Sequence, residues 1–161
     1  MDPIQSLLDE HAQIMACLAP LRHAVHQIAE RGPAALPDVL PVVQEVVPAV
    51  AKDLMAHSHR EDEAFFPVVE AAFGGSFGPT TVMRAEHESI DEAIHQLQGM
   101  LADPEPQWSI NDLGDWCGRL IRLIDAHFGK EEHVVFPMAR QALTPEAMLQ
   151  IGVALDAARA R

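Results

Sequence analysis

A chain of 161 residues with 48% apolar content is long enough to bury a core and too apolar to be disordered, so one globular domain over 1–161 is expected. Its formal net charge of −13 repels phosphate backbones and anionic lipid, which argues against nucleic acid and membrane as partners. No apolar run is read as approaching the roughly 20 residues of a membrane span, and the acidic start "MDPIQSLLDE" lacks the basic segment of a signal peptide, so a cytoplasmic location is expected.

The helical period dominates from the first residues. Asp2 and Pro3 read as an N-cap and a first-turn proline, with Gln5 as capping partner. Ile4, Leu7, Leu8, Ile14 and Leu18 follow as an apolar stripe. "RGP" at 31–33 ends this helix. A second helical segment runs from about Pro41 to Phe73, with Pro48 a kink or late start, and "FGGSFGP" at 73–79 breaks it. A third spans roughly 80–101 along Met83, Ile90, Ile94, Leu97 and Leu101. After the loop "ADPEPQ" at 102–107, a fourth runs from near Ser109 to about Leu143 through Leu113, Trp116, Leu120 and Ile124. Thr144-Pro145-Glu146 then caps a short terminal helix. Strand signals are nearly absent. The expected fold is all-α, an up-down-up-down four-helix bundle with a short C-terminal helix.

The sequence also repeats itself. "HSHREDEAFFP" (57–67) matches "HFGKEEHVVFP" (127–137), and "EHAQIMACL" (10–18) resembles "EHESIDEAI" (86–94). The first helix echoes the third and the second echoes the fourth, so a helical hairpin occurs twice. A site on the resulting pseudo-twofold axis would draw equivalent residues from both halves.

Those residues have a chemistry. Positions i and i+4 share a helix face, and both His57/Glu61 and His127/Glu131 have that spacing. His11 and His87 lie on the apolar stripes of their helices. Each helix thus offers one inward histidine, and two add an inward glutamate. Buried carboxylates without cations cost several kcal/mol each or are forced neutral. A pair of metal ions removes that cost and uses all four imidazoles. Imidazole with carboxylate and no thiolate suits iron or manganese, not a structural zinc site. His59 and Glu63 repeat the same spacing, but two residues along a helix turn about 200° away, so they read as solvated or supporting groups. His23, His26, His95 and His133 read as surface or supporting residues. Asp62 and Glu132, beside the inward acids, read as a solvated face. Cys17 and Cys117 permit one disulfide but read as small core residues.

The paired motif H…HxxxE…H…HxxxE, each half running into "FP", resembles the hemerythrin-like (HHE cation-binding) family from His11 to Pro137. The resemblance implies a four-helix bundle around two iron ions, an oxo- or hydroxo-bridged non-haem di-iron centre. It implies His11 and His57 on one iron, His87 and His127 on the other, and Glu61 and Glu131 as bridges. Phe65, Phe66 and Pro67 would then close the core at the edge of the site. The sequence departs from oxygen-carrying hemerythrins, which have HxxxH on the third helix and an acid five residues after the last histidine. Here Asp91 follows His87 by four and Glu131 follows His127 by four. Asp91 is either a solvated or supporting residue or a further carboxylate ligand.

The expected function is reaction with a small gaseous or peroxide ligand: oxygen, peroxide or nitric oxide. Redox chemistry of the peroxidase, catalase or nitric oxide-reducing kind is favoured over carriage. The alternatives are a non-catalytic oxygen- or iron-binding or sensing protein, and a purely structural bundle. The oligomeric state stays open between monomer and weak dimer.

Overall fold

In the computed structural model, which describes residues 2–76 and 78–159, the Asp2 carboxylate accepts the Ile4 amide hydrogen at 3.0 Å and starts α1 (Pro3–Arg31). Gln5 does not complete the cap. It bonds Asp9 one turn on at 2.9 Å, which is the neighbour a helical side chain reaches at i+4. Gly32, at φ 56°, takes the left-handed turn that ends α1, and a short 3-10 turn leads directly into α2. This second rod therefore begins at Leu36, earlier than the sequence suggested. Pro37 sits in the first turn, where its missing N–H costs nothing.

α2 runs Leu36–Arg60, widens into a π turn over Glu61–Phe65 and continues as Phe66–Ala72. Gly74 and Gly75, both at positive φ, then break the chain. Phe77, inside the expected break, lies outside the described residues. α3 is Gly78–Ala102. α4 starts at a Ser109–Asp112 capping box, runs Ile110–Lys130, widens over Glu131–Val135 and ends at Ala142. α5 is Pro145–Arg159, with the Thr144 hydroxyl accepting the Ala147 amide. Among the described residues there is no strand.

The π turns were not foreseen, and a proline explains both. Pro67 and Pro137 stand two residues after each turn. A proline inside a helix lacks its N–H and crowds the carbonyl four back. The ladder slips instead, so that the Phe66 amide bonds Glu61 and the Phe136 amide bonds Glu131, five residues back in each case. Pro67 itself is exposed, so it shapes the backbone and does not close the core.

α1 packs on α2 and α4, and α3 closes the ring against α2 and α4. At Gly114 a Cβ would stand 2.9 Å from an Ile28 methyl carbon, so glycine is what lets α4 approach α1. The interior has two apolar layers. One holds Ile14, Leu54, Ile90, Ile124 and Phe128. The other holds Leu7, Phe65, Phe66, Met83 and Phe136, and α5 covers it with Ile151 and Leu155. Each such side chain contributes about 1.5–3 kcal/mol when fully buried. Along every long helix the histidine falls between a residue of one layer and a residue of the other, so the polar groups form a single belt.

One 18-residue stretch within the helical run Pro3–Ala72 is long and apolar enough to cross a membrane by length and composition, where the sequence reading expected none. α2 nonetheless turns Val39, Val43, Val46, Val47 and Val50 into the bundle core. Both cysteines are free, Cys117 buried and Cys17 at the edge of the core.

Candidate metal centre

The belt brings together the six residues singled out from the sequence. His11, His57, Glu61, His87, His127 and Glu131 are all buried, with the two glutamates at 0% exposure. The helical period puts each on its helix's inner face, and the π turns begin at the two glutamates.

The imidazoles meet in pairs. His11 Nε2 lies 3.1 Å from His57 Nε2, and His87 Nε2 lies 3.0 Å from His127 Nε2. The glutamates tie the pairs together. Glu61 places one oxygen 3.4 Å from His57 Nε2 and the other 3.3 Å from His87 Nε2. Glu131 does the same at 3.4 Å from His127 and 3.1 Å from His11. Each carboxylate therefore spans both pairs. The donors fall into two overlapping sets, His11/His57/Glu61/Glu131 and His87/His127/Glu61/Glu131, with ligand atoms within 4.8 Å of one another.

A second ring of acids orients the imidazoles. His57 Nδ1 donates to Glu10 at 2.9 Å, and His127 Nδ1 to Glu86 at 3.1 Å. His87 Nδ1 donates to Asp62 at 3.2 Å, and His11 Nδ1 to Glu132 at 2.9 Å. A carboxylate only accepts, so each Nδ1 carries the hydrogen, and each imidazole in its neutral form turns the Nε2 lone pair inward. Cations hold most of the acids in turn. Arg60 and Arg159 reach Glu10, Lys130 reaches Glu86 and Arg84 reaches Asp62.

Four Nε2 lone pairs and four carboxylate oxygens thus converge on one small volume. Both oxygens of Glu61 and of Glu131 are buried with no hydrogen-bond partner. Acceptors facing acceptors are stable only with a proton or a cation between them. The donor set fits a metal: hard carboxylates and borderline imidazoles, oriented by outer acids as metal-ligating histidines are.

The protein's own charges already split these groups. Burial would raise Glu61, yet the His57, His87 and His127 imidazoles hold it down at about 2. Burial, with the charge of Glu61 beside it, pushes Glu131 well above the usual carboxylate range. Burial opposes a charged His87, but Asp62 and Glu61 lift it to about 9, so without a cation in the belt a proton on its Nε2 faces Glu61, and a metal would take that proton's place. Burial dominates at His127, pushing it down to about 4, and with the His57 charge it also lowers His11.

The other acids and histidines sort clearly. His59, Glu63, His23, His26, His95 and His133 are exposed. Asp91 is half-buried and belongs to neither donor set. Asp62 and Glu132 correct the sequence reading: they are not merely solvated but hold His87 and His11. Glu10, Glu86 and Phe128 were missed. The repeated "EH" at 10–11 and 86–87 carried the signal for the two acids. Phe128 stacks on His11 at 3.7 Å between ring centroids with planes 7° apart. Its counterpart in the other half is Ser58, so the internal repeat hid it. Phe66 stacks on His87 at 5.9 Å, and Phe136 on His11 at 5.5 Å.

Comparison with known proteins agrees with this geometry. The family model described as hemerythrin HHE cation binding domain matches residues 2–139. Similar curated proteins include the iron-sulfur cluster repair proteins YtfE of Salmonella paratyphi B, Salmonella newport and Salmonella heidelberg. Each is 26% identical over 115 residues, covering 68% of this chain and 52% of the relative. The chain spans about half the length of the curated relatives it matches. No solved structure matches it.

Proposed function

The chain belongs to the hemerythrin HHE cation-binding domain family, and on that premise we propose that it is a non-haem di-iron protein that reacts with a small oxidant. Oxygen, peroxide and nitric oxide are the candidate ligands, and reduction of peroxide or nitric oxide is favoured over carriage. The observation that carries this reading is the belt of inward lone pairs, in which two glutamates each span both histidine pairs. Two irons in the two donor sets would satisfy every one of those atoms and supply electrons to a bound oxidant.

The chain's own residues do the rest. Each set offers two imidazoles and two carboxylate oxygens, which leaves coordination positions open to an external ligand. Glu10, Asp62, Glu86 and Glu132 fix the imidazole tautomers. The Phe65, Phe66, Phe128 and Phe136 rings exclude water around the belt. The Salmonella relatives are named for iron-sulfur cluster repair, and oxidant chemistry at this centre fits that setting. We read the long helices as alternately up and down, since the order in which each crosses the two apolar layers reverses from one to the next. We take 1–161 as one domain, acting as a monomer or weak dimer in the cytoplasm.

The test is metal analysis with a visible spectrum of aerobically purified protein, then mixing of the reduced protein with oxygen, hydrogen peroxide or nitric oxide. Two irons per chain and consumption of peroxide or nitric oxide are expected. One metal per chain, or mainly zinc, would overturn the dinuclear reading. A stable oxygen-bound band without consumption would select the binding or sensing alternative. Asp91→Ala is expected to leave iron content and spectrum unchanged, and Asp91→His shows whether a fifth imidazole lengthens the life of an oxygen-bound band.

A further inference from the structure

The two halves of the centre repeat in sequence, but their supports do not. Arg60 and Lys130 stand at equivalent positions and brace equivalent acids, Glu10 and Glu86. Arg84 has no such counterpart. In the register that aligns His11 with His87, its equivalent is Leu8, which packs in the apolar layer under α5.

Arg84 fills a need that the π turn creates. In a π ladder the carbonyl of Asp62 would receive the amide of residue 67, but that residue is proline and has no hydrogen. Arg84 Nη1 donates to this carbonyl at 3.2 Å and to the Asp62 carboxylate at 3.0 Å. Its other arm donates to both Glu70 oxygens at 3.3 Å, and the Thr80 hydroxyl holds Glu70 at 2.6 Å. The guanidinium also lies 5.3 Å from the centre of the Phe66 ring, which stacks on His87. One side chain thus fixes the π turn, the acid on His87 and the ring against His87.

The same need arises at Glu132, because Pro137 cannot donate to its carbonyl. Among the described residues no side chain reaches that carbonyl, and no Lys or Arg pairs with the Glu132 carboxylate, which is 38% exposed. Arg140, which follows the second π turn, turns away to Asp2 at the start of α1. His57 keeps a firm support through Glu10, Arg60 and Arg159. The weak point is the acid behind His11: Phe128 and Phe136 stack on the ring, but its Nδ1 partner Glu132 is held by no cation among the described residues.

We propose that Arg84 is a positioning residue that makes the two metal positions unequal: it braces the His87/His127 set and leaves the His11/His57 set as the one that yields its metal first. The proposal rests on the dinuclear reading above. An outer-sphere partner of a metal-bound histidine typically governs affinity by about 10- to 100-fold, so the difference is measurable as a rate of release.

The experiment uses the reduced, iron-loaded protein under anaerobic conditions, with ferrozine in excess and the ferrous complex followed by absorbance. The final absorbance counts iron, and the time course separates the positions. Two irons per chain are expected, leaving in two phases of equal size. Arg84→Ala is expected to speed the slow phase about 10- to 100-fold and spare the fast one. Arg84→Lys keeps one charge but loses the fork, so an intermediate rate is expected; it also carries the test if the alanine variant does not fold. Glu132→Gln, which still accepts from His11 but loses its charge, is expected to act on the fast phase alone. Two irons leaving in one phase, or Arg84 variants that change both phases equally or neither, would overturn the inequality. A total of one iron per chain would instead overturn the dinuclear reading.

Discussion

Replacing Glu131 with glutamine separates what the centre does for metal from what it does for the fold. Glu131 is at 0% exposure, and both its oxygens lack a hydrogen-bond partner. Burial and the charge of Glu61 raise its pKa well above the ordinary 4.5. In protein stripped of metal, the folded state therefore keeps a proton that the unfolded chain releases above that value. The folded state binds more protons, so stability is full below the unfolded pKa and falls as pH rises toward the folded one. Each such proton changes stability by up to about 1.4 kcal/mol per pH unit, or up to about 3 kcal/mol between pH 5 and pH 7. Glutamine has the same shape and no titration, so Glu131→Gln is expected to remove this slope. The raised His87 and the lowered His11 and His127 titrate in both proteins, and the difference between the two isolates Glu131. Ferrous iron should then stabilise the wild type over the variant. Glu131 supplies an oxygen to each donor set, and a ligand at a thousandfold over its Kd stabilises the wild type by about 4 kcal/mol. At about 2–4 °C per kcal/mol for a domain of this size, that is roughly 8–16 °C in Tm, most of which the variant should lack. Urea titrations of the stripped proteins at the two pH values, and anaerobic melts with and without iron, measure both effects. An unchanged pH slope in Glu131→Gln, or a full iron-dependent rise in its Tm, would refute the reasoning.

Three other outcomes follow from the geometry. Glu61→Ala and His57→Ala should strip iron, while His59→Ala and Glu63→Ala, on the exposed face, should keep it; elemental analysis showing the reverse would mean the two halves are misaligned. Phe128→Ala removes a side chain at 3% exposure stacked on His11, and should cost about 3–5 kcal/mol in denaturant unfolding. Burial pushes the Cys117 thiol up to about 12, so iodoacetamide at pH 8 should spare it in the folded protein and label it once urea unfolds the chain, as mass spectrometry of the digest would show.

The sequence by itself determined the all-helical class and the six buried histidines and glutamates that cluster in the belt. Residues four apart on one helix must share a face, so the apolar stripes alone make His57/Glu61 and His127/Glu131 inward pairs and turn His59/Glu63 away. The repeat of both hairpin segments assigned His11 and His87 to equivalent places. Tertiary structure decided everything that depends on which helix faces which. Glu10 holds His57 from 47 residues away, and Glu132 holds His11 from 121 away. A helical period relates residues within one rod and carries no information about the rod opposite. Even a local feature such as the π turn needed the fold to show its use, because Pro67 leaves a carbonyl without its amide and Arg84, on α3, comes close enough to fill that place. The repeat also misled where the halves differ: Phe128 faces Ser58 in the alignment, and Arg84 faces Leu8. At those positions the internal repeat of the sequence lapses, and packing against unlike neighbours sets the surroundings of His11 apart from those of His87.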